Sequence, residues 1–228
     1  MCGRFALYSD PARFAELVDA ELALDPDEYQ PSWNVGPTRT ILGVAGHPDG
    51  TRVLGAYRWG LVPGSAKDPS ALRSTFNARA ESVATRPTFR SAFRRGRILV
   101  PADAFYEWRT AGGVKTPNAF TRADGSPLVF AGLAEQWRRP DDTILHSATI
   151  ITTQAGPDMD GIHDRMPVVL EPGSWAHWLD RTVDHRDELE SLLRPAPAGT
   201  LIHHEVGRAV GNVRNDSPEL LAVAPPGG

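Results

Sequence analysis

The sequence predicts an α+β fold, a single compact domain with a mostly antiparallel, barrel-like β core and peripheral helices. Short β-prone runs dominate the middle of the chain and do not alternate regularly with helices, which argues against a doubly wound α/β fold. Asp49-Gly50 and Asp124-Gly125 are turn signals of the kind that join antiparallel strands. With 228 residues, of which 41% are hydrophobic, the chain can bury one ordinary core. We expect residues 1–222 to form this domain and residues 223–228 to be a disordered tail.

The first predicted element is a helix in "SDPARFAELVDAEL", residues 9–22. Ser9 or Asp10 is suited to cap its N-terminus, and Pro11 suits its first turn. Four apolar positions have the spacing of one helix face: Phe14, Leu17, Val18 and Leu22. The pattern therefore predicts a structural helix that packs on the core.

Five β-prone runs follow and are expected to form the sheet: "TILGVA" (40–45), "RVLGAYRW" (52–59), "RILVPADAFYEW" (97–108), "PLVFAGLAEQW" (127–137) and "ILHSATIITT" (144–153). Two further helices are predicted, in "RPTFRSAFRRG" (86–96) and "DHRDELESLLR" (184–194). In the first of these, Phe89, Ala92 and Phe93 share a face, and Gly96 can terminate the helix.

Composition restricts the class of protein. The formal charge of −4 argues against a uniformly basic DNA coat, although a local patch can still hold phosphate. The chain has no run of 18 apolar residues and no secretion-type N-terminus, so we expect no membrane partner and a cytoplasmic location. The single cysteine excludes an internal disulfide and a multi-thiolate metal site. The pairs His203-His204 and His163-Asp164 lack the spacing of metal ligands, so no metal is expected.

A basic cluster lies between residues 73 and 97. It contains one acid, Glu81, and seven arginines: Arg73, Arg79, Arg86, Arg90, Arg94, Arg95 and Arg97. A guanidinium can bind phosphate oxygens bidentately or stack on a base, so the cluster indicates a phosphate-bearing ligand. A solvated helix face explains the same segment equally well.

Three polar residues lie in otherwise apolar, strand-like surroundings. Glu107 in "AFYEWR" either points outward by strand alternation or is a pocket carboxylate that acts as an acid or base. Asn77 in "TFNARAES" either caps a turn or holds a polar group of a ligand. His163 in "GIHDRMPVVL" is either an ordinary surface or core histidine or a proton carrier oriented by Asp164.

The only cysteine, Cys2, directly follows the initiator methionine. Removal of Met1 would leave Cys2 with a free α-amine and a thiol on adjacent carbons. An α-amine has a pKa of about 7.7–8.0, so a useful fraction is neutral and nucleophilic at physiological pH. The amine can attack an aldehyde, and the thiol can then close a thiazolidine ring. The alternative is that Cys2 is an incidental small apolar residue of the core.

Along nearly its whole length the sequence resembles the SOS response-associated peptidase (SRAP) family. The matching segments run in the family's order from residue 1 to about residue 222: "MCGRF", "WNVGPTR", "RWGLVP", "FNARAES", "GRILVPADAFYEWR", "FAGLAEQW", "ITTQAGPDMDGIHDRMPVVL" and "VGRAVGNVRND". The resemblance implies a compact α+β domain that binds single-stranded DNA containing abasic sites and links itself to them covalently. No cofactor is expected, because the damaged DNA supplies the electrophile. We expect a monomer, because a bound single strand and an exposed N-terminus leave little need for a second subunit, and we expect association with the nucleoid on DNA damage.

The resemblance assigns roles to residues. Cys2 would capture the open-chain aldehyde, Asn77 would position the N-terminal residue and the sugar, Glu107 would shuttle protons, and His163 would assist ring opening. Four positions match those expected to contact DNA or to line its groove: Arg4, Arg79, Thr152 and Arg165. Asn34 in "WNVGP" lies near the family's active centre, where organising a backbone turn explains it equally well.

One stretch departs from the family. Members commonly carry a tryptophan just after the "WGL-P" motif, whereas this chain has Gly64, Ser65 and Ala66 there. Trp59 would compensate only if exposed. Stacking on a base contributes roughly 1–3 kcal/mol, so we expect weaker DNA binding or a different preferred DNA structure. The preferred structure itself does not follow from the sequence.

Two other functions remain compatible with the sequence. A cysteine peptidase, including one that removes its own Met1, would turn over peptide substrates, although the chain has neither a second cysteine nor a visible oxyanion signature. A non-catalytic DNA-binding barrel would bind DNA in a salt-sensitive way without a covalent product.

Overall fold

The structure is a computed structural model that describes residues 2–25, 27–67 and 74–225. Its strands are β1 (Phe5–Leu7), β2 (Glu21–Leu22), β3 (Ser32–Val35), β4 (Thr40–Gly46), β5 (Arg52–Trp59), β6 (Asn77–Arg79), β7 (Arg97–Ala102), β8 (Ala104–Ala111), β9 (Val114–Arg122), β10 (Leu128–Arg138), β11 (Ile144–Gln154), β12 (Arg165–Pro167) and β13 (Leu201–Glu205). The helices are α1 (Pro11–Leu17), α2 (Arg90–Arg95), α3 (Pro172–Leu179) and α4 (Arg186–Ser191).

The core is a closed β-barrel. Strands β5, β4, β7, β10 and β11 pair in that order as antiparallel neighbours, and β11 returns to β5 through a short parallel pairing. A second, antiparallel sheet has the order β13-β9-β8-β1-β3. The sheets are joined by aromatic packing, since the Phe5 ring lies 5.0 Å from that of Trp59 and 6.3 Å from that of Phe130. The predicted α+β, barrel-like single domain is confirmed.

The predicted run 97–108 forms two strands, β7 in the barrel and β8 in the second sheet. The chain crosses between the sheets at Asp103, whose backbone N–H donates to the Ala6 carbonyl. The Asp103 carboxylate accepts hydrogen bonds from the backbone N–H groups of Tyr8 and Ser9. This corner carries β8 alongside β1 and hence towards the N-terminus.

The first helix is shorter than predicted. Asp10 is its N-cap, with a side chain that accepts a hydrogen bond from the Ala12 N–H, but the helix ends at Leu17. Asp19 has a φ of 51°, and residues 21–22 form β2 beside β5. Leu17 and Leu22 are both exposed, so only Phe14 and Val18 of the predicted apolar stripe are buried. Residues 21–22 therefore pair with β5 and do not continue the helix that their local pattern predicts. The local pattern cannot show this, because β5 is distant in sequence.

The helix α3 was not predicted from the sequence. Its segment "PGSWAHWL" buries Trp175 and Trp178 against the barrel, and the Trp178 indole N–H donates to the Ile98 carbonyl at 2.9 Å. The other two predicted helices are present but shorter, as α2 and α4, and Gly96 caps the C-terminus of α2.

Arg97 does not belong to the surface of the basic cluster. The residue is 3% exposed, and its guanidinium donates to five backbone carbonyls near the ends of α2 and α3: Phe93, Arg94, Trp178, Asp180 and Val183. Both interpretations of the basic cluster, phosphate binding and a solvated helix face, are wrong for Arg97, because no donor of its side chain faces solvent. Arg97 instead satisfies carbonyl groups that a helix leaves unpaired at its C-terminus.

We expect the Arg97→Met variant to lose about 3 kcal/mol in the free energy of unfolding, because several buried carbonyls lose a charged donor. Denaturant unfolding measures the change. The matched control, Arg94→Met on the exposed face of α2, is expected to change stability by less than about 0.5 kcal/mol. Equal losses in the two variants would contradict the buried role of Arg97.

Some predicted features fall at the edge of the described residues. Met1 and Arg73 lie outside the described residues, as do residues 226–228 of the predicted tail. Val223 forms a bridge with Val206, and the Ala224 N–H donates to the Glu205 carbonyl. Within the described part of the chain, no helix has the length and apolar character needed to cross a membrane.

Candidate active site

Four separate segments bring the predicted catalytic residues to one end of the barrel. Cys2 precedes β1, Asn77 begins β6, Glu107 lies in β8, and His163 lies in the loop between β11 and β12. The parallel pairing of β6 with β11 and the antiparallel pairing of β12 with β11 place two of these segments beside the end of β11. Residues far apart in sequence thus meet through strand pairing.

The contact between Asn77 and Cys2 holds the N-terminal segment in place. The Asn77 side-chain amide donates to the Cys2 carbonyl at 2.6 Å, and both residues are buried. The Asn77 Oδ1 atom is buried and has no hydrogen-bond partner among the described residues. The amide therefore fixes the backbone of Cys2 and retains an acceptor that a ligand can use.

Glu107 faces inward. The β1–β8 register pairs Phe5 with Phe105, and the Tyr106 N–H donates to the Arg4 carbonyl, which brings Glu107 beside the start of the chain. Glu107 is 3% exposed, so the outward-pointing interpretation is wrong. Burial raises the pKa of the Cys2 thiol, and the Glu107 carboxylate raises it further. The thiol consequently stays protonated until a base removes its proton.

His163 lies next to Glu107. Its Nε2 atom is 4.0 Å from Glu107 Oε2, and its Nδ1 atom accepts a hydrogen bond from the Arg165 N–H at 2.9 Å. The exposed Asp164 carboxylate is also 2.9 Å from Nδ1. Because Nδ1 accepts the hydrogen bond from the Arg165 N–H, the neutral ring carries its proton on Nε2, which faces Glu107. The imidazole is partly exposed and can exchange protons with solvent.

A groove of about 560 Å³ adjoins this centre. It is lined by Arg79, Gln154, Ala155, Asp160, Gly161, His163, Asp164 and Arg165. Arg79 is exposed, whereas Arg165 is engaged by the Glu81 carboxylate at 2.6 Å and 3.1 Å and by the Thr152 carbonyl at 2.7 Å. Thr152 is fully buried and contacts Arg165 through its carbonyl, so it does not line the groove surface as predicted.

Arg4 and Asn34 are hydrogen-bonded to each other near the start of the chain. Arg4 Nη1 donates to Asn34 Oδ1 at 2.8 Å and to the Val210 carbonyl at 2.6 Å. The buried Asn34 amide donates to the carbonyls of Asn212 and Asn215 at 3.1 Å and 2.7 Å. This geometry favours the backbone-organising interpretation of Asn34, which holds residues 210–215 next to the N-terminal segment.

Three features of this region do not follow from the sequence. Asn118 in β9 is 2% exposed and pairs in register with Glu107, and its only signal was an amide between apolar residues of a strand. Glu81 was noted as the lone acid of the basic cluster, but not as the partner of Arg165. Trp59 is fully buried and donates to the Phe76 carbonyl, so it does not replace the missing exposed tryptophan.

Comparisons with known proteins agree with this architecture. Abasic site processing protein YoqW of Bacillus subtilis (strain 168) is 39% identical over 222 residues, which cover 97% of this chain and 99% of that protein. Abasic site processing protein YedK of Escherichia coli (strain K12) is 32% identical over 227 residues, covering 97% and 99%. A crystal structure of a protein from Bacteroides thetaiotaomicron, 21% identical, has the same fold, with a TM-score of 0.87 over 98% of this chain and 100% of that one.

The family profile described as SOS response associated peptidase (SRAP) matches residues 1–213, which include every candidate site residue named above. The resemblance seen in the sequence motifs is thereby confirmed. The chain belongs to the SRAP family.

Proposed function

We propose that this protein processes abasic sites by forming a covalent crosslink between Cys2, after removal of Met1, and the aldehyde of an abasic site in single-stranded DNA. The main support is the geometry around Cys2, whose carbonyl accepts a hydrogen bond from Asn77 and whose thiol pKa is raised by the buried Glu107 carboxylate. The names of the relatives YoqW and YedK agree with an abasic-site substrate.

The reaction begins at the amine. The α-amine of Cys2, which removal of Met1 sets free, is the first nucleophile, because only an amine can form an imine with the aldehyde. It adds to the C1′ aldehyde carbon of the open-chain deoxyribose to give a carbinolamine, which loses water to form an imine. The Cys2 sulfur then adds to the imine carbon, and the thiol proton is transferred to the nitrogen. The product is a thiazolidine, with one water released for each crosslink.

Glu107 and His163 supply the proton transfers. Glu107 protonates the departing hydroxyl of the carbinolamine and takes the thiol proton in the closing step. His163, partly exposed and 4.0 Å from Glu107, assists the opening of the sugar ring and exchanges protons with solvent. The free Oδ1 atom of Asn77 accepts a hydrogen bond from the new α-amine or from a sugar hydroxyl.

Arg79 and Arg165, which line the groove, contact the DNA backbone in this proposal. Arg4, which the resemblance places at the DNA, is not one of the groove-lining residues, and its guanidinium donates to Asn34 and to the Val210 carbonyl. Guanidinium groups bind phosphate oxygens through charge-assisted hydrogen bonds without reading sequence. Such binding suits a protein that must act wherever a base is missing. The chain acts as a monomer in this proposal.

The proposal is tested with Met1-processed protein and a single-stranded oligonucleotide that carries one abasic site. A band shifted on a denaturing gel is expected, with an adduct mass equal to protein plus DNA minus one water. The same strand with an intact base, and a protein whose N-terminus is blocked by an uncleaved fusion, are the controls. No adduct despite confirmed Met1 removal would overturn the proposal and favour peptidase activity or non-covalent DNA binding.

We expect the Glu81→Gln variant to bind single-stranded DNA about 2–5-fold more tightly at low salt, because Arg165 is released from a competing carboxylate. Fluorescence anisotropy at two salt concentrations measures the change. Glu205→Gln is the matched control, since Glu205 is also 47% exposed and paired with an arginine, Arg109. Weaker binding by Glu81→Gln would show that Glu81 orients Arg165 and does not compete with phosphate.

A further inference from the structure

A second cavity lies at the end of the barrel opposite to the candidate active site. It has a volume of about 740 Å³, and His146 near the start of β11 lines it. Gln154, at the end of the same strand, lines the groove beside His163. These two residues are separated by eight positions, which corresponds to about 26 Å along a strand. The cavity is therefore distinct from the groove.

The cavity exists because the barrel is packed at one end only. Towards the other end, residues on the same strand faces are fully buried: Trp59, Phe130 and Ile150. At the cavity end, positions on the same strand faces are small or partly exposed: Ala45, Val53, Gly55, Tyr57 and Ala134. Strands β5 and β11 pair only at residues 58–59 and 147–148, so they do not close the barrel beyond this point. Small barrels are ordinarily filled by side chains, and this end is not.

The rim of the cavity carries two available cations. Arg95 at the end of α2 and Arg181 after α3 are exposed, and neither makes an ion pair with another described residue. The two carboxylates that also line the cavity already accept hydrogen bonds: Glu28 from the Asp25 N–H at 3.0 Å, and Glu135 from Ser91 and the Gly64 N–H. An anionic group can therefore bind the arginines without displacing a carboxylate.

The floor of the cavity suits a flat ring. Tyr57 lines it together with His146, and their rings meet edge-on with centroids 6.1 Å apart. Ala45, Ile98 and Ala134 supply apolar surface beside them. A planar group can stack on the tyrosine while small side chains leave room for it.

We propose that this cavity binds a mononucleotide, with its base against Tyr57 and its phosphate on Arg95 and Arg181. The volume lies in the range of small-molecule sites, and arginine binds phosphate bidentately. The phosphate belongs either to a free mononucleotide or to the 5′-terminal nucleotide of a DNA strand. This site involves none of the residues of the proposed crosslinking reaction, so a test of nucleotide binding does not depend on that reaction.

Isothermal titration of the full chain with dTMP tests the proposal. We expect saturable binding at one site, weakened at least tenfold in an Arg95→Gln/Arg181→Gln variant and unchanged in the matched control Arg86→Gln/Arg90→Gln. Thymidine and inorganic phosphate, each carrying half of the recognised groups, are expected to bind more weakly than dTMP. Absent binding by the wild type, or equal binding by the Arg95/Arg181 variant, would overturn the proposal.

A cavity-filling variant gives a second test. A Cβ atom at Gly55 would meet only the Ala23 carbonyl oxygen, at an ordinary 3.7 Å, so Gly55→Val should fold and occupy part of the cavity. We expect dTMP binding to be lost while the unfolding midpoint is retained; retained binding would overturn the site. Competition with a 5′-phosphorylated oligonucleotide identifies a strand end as the phosphate source, and failure to compete identifies the free mononucleotide.

Discussion

The Cys2→Ala variant is expected to form no stable adduct with abasic-site DNA. Alanine at position 2 still permits removal of Met1 and leaves a free α-amine, so the imine can form. Without the sulfur that imine cannot close to a thiazolidine, and water returns it to the aldehyde. A denaturing gel is expected to show an adduct for Cys2→Ala only after treatment with borohydride, which reduces the imine to a stable amine.

The Cys2→Ser variant is the matched control for this result. Serine keeps the amine and nearly the size of cysteine, but its hydroxyl is a weaker nucleophile than a thiol. We expect this variant to resemble Cys2→Ala in requiring borohydride. A borohydride-independent adduct of Cys2→Ala would contradict ring closure by the thiol and would assign the linkage to another residue.

The Glu107→Gln variant is expected to lower the rate of crosslink formation by roughly 10²–10⁴-fold, the usual contribution of a general acid–base group. Glutamine keeps the shape of the buried side chain but carries no proton for the carbinolamine and accepts none from the thiol. Single-turnover kinetics at saturating DNA measure the rate, and anisotropy measures DNA affinity separately. We expect the rate to fall while the affinity stays within about twofold, since uncharged replacement leaves the groove arginines in place.

Glu171→Gln is the control for removing a carboxylate elsewhere in the protein. Glu171 pairs with Arg122, outside the proposed site, and its replacement is expected to leave the crosslinking rate unchanged. If Glu107→Gln crosslinks as fast as the wild type, proton transfer by Glu107 is not needed. If both DNA affinity and unfolding stability fall with the rate, the role of Glu107 is structural.

Local patterns in the sequence were sufficient for much of the fold. Short β-prone runs predicted the barrel strands, Asp-Gly pairs predicted turns, and Gly50 and Gly125 both have positive φ angles there. Of the two candidate caps, Ser9 and Asp10, the structure uses Asp10 at the start of the first helix, and Gly96 ends α2 as predicted. These signals are readable because they depend on residues only a few positions apart.

Local sequence patterns are enough to predict the strands, the turns and the chemical types of the candidate site residues, including a cysteine beside the initiator methionine. Which of these residues are buried, and which contact one another, follows from the packing of distant segments. Asn77 donates a hydrogen bond to Cys2, which is 75 positions away in the sequence, and Glu107 is buried. Arg97 is buried as well, and it donates to backbone carbonyls near the ends of two helices and not to a surface ligand. Burial and strand pairing depend on partners that are distant in the chain, and the periodicity of a single segment does not encode those partners.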